Sequence, residues 1–313
     1  MLPRVQAYQT NGGGETSSGL YEDISTRSLL TVRVGEGAGK VSSGSGNAFI
    51  GYETGKYNLA GSYDTFIGYQ SGLENKNASY STFIGAFAGR QNNNGSECTF
   101  IGYRCGELNN DGQSLVAIGA YAMRENVSGT GSVSIGYRCA ERNLDGDYNT
   151  MVGAESGQNN RSGNMNTMCG YRSGRAAFQG SENTFIGALS GYSNSQGSGN
   201  CLVGYKSGEF LTSGNFNVAI GAYSLQSSTN GSCNVAIGPF SGAFASSGTD
   251  NVLIGKNVAT YNTNGARNVV IGSDSGEYTQ GDENVMIGYQ AAQNTTTNRS
   301  VLIGANSGRH ASG

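Results

Sequence analysis

The sequence predicts an all-β fold of the short-period β-solenoid or β-roll class, about 17 rungs long, and three observations carry that prediction. First, a nine-residue phrase recurs, as in Asn183-Thr184-Phe185-Ile186-Gly187-Ala188-Leu189-Ser190-Gly191 and Asn200-Cys201-Leu202-Val203-Gly204-Tyr205-Lys206-Ser207-Gly208. Second, the period is short and regular. The phrase's central glycine falls at Gly35, Gly51, Gly68, Gly85, Gly102, Gly119, Gly136, Gly153, Gly170, Gly187, Gly204, Gly221, Gly238, Gly255, Gly272, Gly288 and Gly304, with thirteen steps of seventeen residues and three of sixteen. In such arrays each repeat forms one rung and touches only its neighbours. Third, 52 glycines stand beside only two prolines, Pro3 and Pro239. That balance suits many tight turns and rules against collagen, which needs both residues in abundance.

The stretch Met1 to Ser28 precedes the periodicity and is expected to anchor or cap the array, with residues 29–313 forming one repeat domain. Within a rung, the residue before the central glycine is almost always Ile or Val, and three before it stands Thr or Val, as at Thr65 and Ile67 or Val218 and Ile220. This β-branched run, bounded by Asn and Gly, reads as a short strand. Side chains alternate across a strand, so these two columns face the same way. The residue between them is also apolar in most rungs, and a strand apolar on both faces is buried on both. The expectation is that the Ile column lines the coil. The middle column, Phe49, Phe66, Phe83, Phe100, Met151, Met168, Phe185, Leu202, Leu253, Met286 and Leu302, is then assigned to the interfaces of a parallel homotrimer.

After the strand, a second glycine recurs four residues past the central one, as at Gly55, Gly72 and Gly89, commonly preceded by serine. Positive φ and lack of space are the expected reasons. A third glycine, ten past the first, lies in Asn/Asp-rich runs that read as turns. Asparagine opens most phrases, as at Asn149, Asn166 and Asn183. At strand spacing, equivalent amides can bond from rung to rung. The six cysteines, Cys98, Cys105, Cys139, Cys169, Cys201 and Cys233, never share a column on adjacent rungs. Cys105 and Cys139 come closest at roughly 9 to 10 Å, beyond the reach of a disulfide. Free thiols filling small buried spaces are expected.

The phrase Asn-Thr-Phe-Ile-Gly-Tyr-x-Ser-Gly, seen from Asp64 to Gly72 and in variant form from Asn166 to Gly174, resembles the repeats of trimeric tail or surface fibres of phages and large viruses. It is also similar in grammar to the heads of trimeric autotransporter adhesins. The resemblance covers about nine-tenths of the chain. It implies a structural fibre or adhesin that attaches to a surface or receptor, extracellular or on a virion, with other copies of itself and a larger fibre or virion assembly as partners. End-to-end stacking of copies and binding of cell-surface glycan are further partner expectations. The sequence departs from those families in having no heptad stalk and no chaperone or peptidase module after Gly308.

Chemistry is sparse. Charged residues are 13% of the chain and the net charge is -3, so the basic field of a nucleic-acid binder is missing. No run approaches the roughly 20 apolar residues of a membrane span. The sole histidine is His310, and no His/Cys/Asp cluster has metal-ligand spacing. Gly35-Glu36-Gly37-Ala38-Gly39-Lys40 imitates a phosphate loop, but Val34 and Val41 stand where Gly and Ser or Thr belong. No catalytic residues, cofactor or metal are therefore expected, with a glycan-degrading fibre enzyme and an ice-binding solenoid as alternatives.

One second-order pattern suggests a ligand site. Between Ala86 and Ala222 the residue after the central glycine alternates strictly between Ala and Tyr, and beside Tyr103, Tyr137, Tyr171 and Tyr205 stand Arg104, Arg138, Arg172 and Lys206. The alternation is expected either to be large and small side chains interdigitating, with exposed cations kept roughly 10 Å apart to limit repulsion, or to form a groove for an anionic glycan with the rings as platforms and the cations as clamps.

Overall fold

The computed structural model describes residues 31–309 apart from 279 and 295, so the expected anchoring segment lies outside the described residues. Seventeen strands of three residues run from Val32–Val34 to Val301–Ile303. Each pairs in parallel with the next: Thr65 lies opposite Thr82, Phe66 opposite Phe83 and Ile67 opposite Ile84. The shorter repeats keep this register, with Val269 opposite Val285. The result is a single 17-stranded parallel sheet along one side of a coil that turns once per repeat.

Strands this short form because the turns are bonded along the axis as well. Thr65 N–H donates to the Ser81 carbonyl of the following rung, and Gly68 N–H donates back to Ile50 of the preceding one, both at 2.8 Å. In the turn, Gly72 N–H reaches forward to Ala88 and Gln70 N–H back to Tyr52, both at 2.9 Å. Nearly every part of a rung thus satisfies its backbone through a neighbour, as buried peptide groups must. The geometry needs glycine at the strand end: Gly68 has φ +135°, and a Cβ there would lie 2.6 Å from the Gly85 carbonyl oxygen.

The strand faces are the reverse of the expectation. Phe49, Phe66, Phe83, Phe100, Met151, Met168, Phe185, Leu202 and Met286 are fully buried inside a single coil, Leu253 nearly so, and Leu302 packs partly against the same core. Apart from the half-buried Leu302 of the last rung, none of them is exposed in the single coil, so they fill its interior and do not form an outer face. The Thr/Val and Ile columns point outward instead, and Ile186 is 42% exposed. The cause is space. With one three-residue strand per turn the coil is narrow, and the second glycine leaves room for one large side chain per rung. A Cβ on Gly72 would lie 2.4 Å from the Phe66 ring. The rings then stack along the axis, Phe66 on Phe83 at 4.5 Å and Phe83 on Phe100 at 4.9 Å between centroids.

Beside this apolar column run ladders of buried amides. Asn200 Nδ2 donates to Asn183 Oδ1 (3.1 Å) and to the Gly214 carbonyl (2.8 Å), while its backbone N–H donates to the same Asn183 Oδ1 (3.0 Å). Where the phrase opens instead with Ser81, Cys98, Leu115 or Ser132, a second column takes over, with Asn92 donating to Asn75 (2.7 Å) and Asn143 to Asn126 (2.9 Å). An orphaned buried amide costs about 1–3 kcal/mol, and the ladders spare most of these side chains that cost; Asn194, which has no asparagine on the rungs to either side in its column, is the exception, with both amide atoms unpaired.

All six cysteines are free thiols, and Cys98, Cys105 and Cys139 are buried as expected. Cys105 and Cys139 occupy the serine column and donate to the Ala117 and Met151 carbonyls at 3.0 and 3.3 Å, as Ser156 does to Met168 at 3.1 Å. Burial pushes both thiols up to about 12, so they stay protonated. Cys169 and Cys233 are exposed and Cys201 half-buried, which corrects the expectation that all six fill internal spaces. The reason is column: Cys169 replaces an outward Ile and Cys201 an outward Thr or Val.

Candidate functional site

Two surfaces stand out, and they lie side by side. The first is the outward strand face. Its two columns, for instance Thr65 with Ile67 and Val218 with Ile220, carry no charged residue on any of the seventeen strands. Sixteen steps of about 4.8 Å and a width of about 6.6 Å make a strip on the order of 500 Å². That is the upper end of what a soluble monomer leaves exposed.

The second surface follows the central glycines. It gathers the alternating tyrosines and cations that the sequence singled out. Tyr103, Tyr137, Tyr171 and Tyr205 are 40 to 47% exposed. On the intervening rungs the position of the cation is taken by Phe87, Tyr121, Glu155, Leu189 and Tyr223, so a carboxylate separates Arg138 from Arg172. The rings therefore meet edge to face, Phe87 with Tyr103 at 6.0 Å, Tyr103 with Tyr121 at 5.3 Å and Tyr121 with Tyr137 at 6.2 Å. The cation positions have φ between 51 and 57°, which turns each side chain back along the edge. Arg104 lies over both the Phe87 and Tyr103 rings at 5.4 Å, and Arg138 over Tyr121 and Tyr137 at 5.6 and 5.3 Å.

Carboxylates sit beneath the cations, a feature the sequence reading missed. Glu107 and Glu141 are buried, within 3.9 Å of Arg104 and 3.8 Å of Arg138 respectively. Glu107 also faces Arg90 at 3.6 Å and Glu141 faces Arg124 at 3.5 Å. Arg172 is held more tightly, its Nε donating to Glu155 at 2.9 Å, and Lys206 Nζ lies 3.3 Å from Glu209. These carboxylates raise the pKa of Arg172 and of Lys206, chiefly by hydrogen bonding. The alternation of Arg90, Glu107, Arg124 and Glu141 at seventeen-residue spacing was the available signal.

Among the described residues there is no group of three or more His, Cys, Asp and Glu side chains placed to hold a metal ion. No known protein-family model, curated protein or solved structure matches this chain.

Proposed function

We propose that the chain is a structural fibre or adhesin element whose outward strand faces pack against copies of themselves in a parallel homotrimer. The observation that supports this is the uncharged strip of mostly Thr/Val and Ile, continuous over all seventeen strands and half-buried to exposed in the single coil. In a parallel assembly like meets like around the common axis, which an uncharged strip tolerates and a charged one would not. The strip is only two side chains wide, so it suits convergence of several coils at one axis. The number three comes from the resemblance to trimeric virion and adhesin fibres, as does attachment to a surface or receptor.

The test is the native mass. Sedimentation equilibrium at micromolar concentration is expected to give three times 32.4 kDa. Ile186→Glu combined with Ile237→Glu should give a monomer with an unchanged far-UV spectrum, because both side chains project away from their own coil. A wild-type monomer would overturn the proposal. Thermal hysteresis in such a monomer would favour ice binding instead, since Thr65, Thr82 and Thr99 also lie on this face in register.

A further inference from the structure

We infer that the tyrosine–cation edge is a track for an extended, β-linked polysaccharide carrying one carboxylate per disaccharide, with Arg104 and Arg138 at its centre. This surface is separate from the strand face on which the fibre reading rests.

The first argument is pitch. The tyrosine and its cation recur every second rung, roughly 10 Å apart, which is comparable to the disaccharide repeat of an extended β-linked glycan. Sugar rings stack on exposed aromatic rings, and here one tyrosine falls under every second sugar. The second argument is unused hydrogen-bonding capacity. Among the described residues the guanidinium groups of Arg104 and Arg138 make no hydrogen bond; Nε of each is buried, but the side chains are 38 and 42% exposed, which leaves their terminal nitrogens as the donors on offer. Their carboxylate neighbours, at 3.9 and 3.8 Å, are beyond bonding distance. The rings nevertheless hold both side chains in place, so donors that would bind a carboxylate are preorganised before the ligand arrives.

The third argument is charge. Along the two columns that carry these groups, from Arg90 to Glu209, seven cations (Arg90, Arg104, Arg124, Arg138, Arg172, Arg175 and Lys206) face four carboxylates. The edge is basic on a chain whose net charge is -3. Arg172 and Lys206 already have close carboxylate partners and so belong to the periphery of the track.

The experiment uses the native protein and hyaluronan oligosaccharides, with neutral cello-oligosaccharides and dextran sulfate as comparisons, by calorimetry at low salt. Hyaluronan affinity is expected to rise with length and level off near four disaccharides, about the span of the four cations. The neutral series should bind at least about tenfold more weakly. Arg104→Gln with Arg138→Gln should lose about tenfold or more, and Arg172→Gln with Lys206→Gln less than about threefold. No binding of hyaluronan, equal binding of the neutral chain, equal losses from the two double variants, or dextran sulfate binding with no length dependence for hyaluronan would each overturn the inference. Should the first double variant lower the thermal midpoint, the length series on wild-type protein decides.

Discussion

Asp64 is the one carboxylate set into the buried asparagine column, and it makes a measurable exception. It is fully buried and accepts from Asn58 Nδ2 (3.2 Å), Asn75 Nδ2 (3.3 Å) and Ser81 N–H (3.0 Å). Loss of hydration raises its pKa to about 7, against the opposing pull of the Ser81 and Asn58 hydrogen bonds. The folded value lies above the unfolded one, so folding disfavours the charged form. Below about pH 4 the carboxyl is protonated in both states and costs nothing. Between about pH 4 and 7 a penalty grows, levelling off on the order of 4 kcal/mol. Asp64→Asn should therefore stabilise the protein at pH 8 and be nearly neutral at pH 4. The column already accommodates the amide: Asn47 and Asn58 share the Gly61 carbonyl at 2.9 and 3.2 Å, and Asn149 and Asn160 share Gly163 at 2.8 and 2.9 Å. Urea titrations of both proteins at the two pH values measure the effect; an equal difference at each would refute it.

In several rungs two columns trade volume inside the coil, though not in all: Ala236 stands with Gly242, where Leu225 and Leu253 of the neighbouring rungs fill the space. Phe66, Phe83, Phe100 and Phe185 stand across from Gly72, Gly89, Gly106 and Gly191. Where the middle strand residue shrinks to Ala117 or Ala219, the glycine position holds Met123 or Leu225, buried and at φ 48 and 46°. Gly89→Ala should accordingly cost about 1–3 kcal/mol, since its Cβ would lie 2.5 Å from the Phe83 ring and the φ of 56° favours glycine. At the compensated rung, Met123→Gly alone should cost about 2–5 kcal/mol as a cavity. Ala117→Phe alone should cost about 1–3 kcal/mol as overpacking. The double variant restores the pattern of the other rungs and should recover much of both, a coupling on the order of 1–3 kcal/mol in a denaturation cycle.

The same trade explains what was legible in the sequence. Period, strand positions, asparagine ladders and the tyrosine–cation alternation all follow from spacing, and each stands where the phrase puts it. Which strand face turns inward does not follow from spacing, because Thr65, Phe66 and Ile67 are apolar enough for either environment. The β-branched columns look like core by composition, yet inward side chains must match the turn opposite in volume, and only the Phe/Gly and Ala/Met exchange reveals that match. Glu107 and Glu141 escaped notice because they lie three residues past the arginines they serve, in a column where Arg, Glu, Gln and Tyr all occur.

Across the whole molecule, stability is a sum of neighbour contacts, so the particle is a rod and not a globule. Sixteen rung steps of about 4.8 Å predict a long axis of roughly 75 to 80 Å, which small-angle scattering measures directly. Whether that rod works alone is read most sharply from its surface thiols. Cys169 lies on the outward strand face and Cys233 away from it, and both are exposed in the single coil. A lone coil would leave both open to iodoacetamide, whereas copies packed through their strand faces would cover Cys169 and leave Cys233 reactive. The native assembly is therefore expected to label at Cys233 and spare Cys169, with Cys98, Cys105 and Cys139 silent because each is buried with its thiol pushed up to about 12. Introducing Ile186→Glu, one rung from Cys169, should restore labelling there while the three buried thiols stay protected. Mass spectrometry of the labelled peptides separates the outcomes: Cys169 as reactive as Cys233 in the wild-type protein would mean that the strand face is open to solvent and the assembly, if any, is built elsewhere.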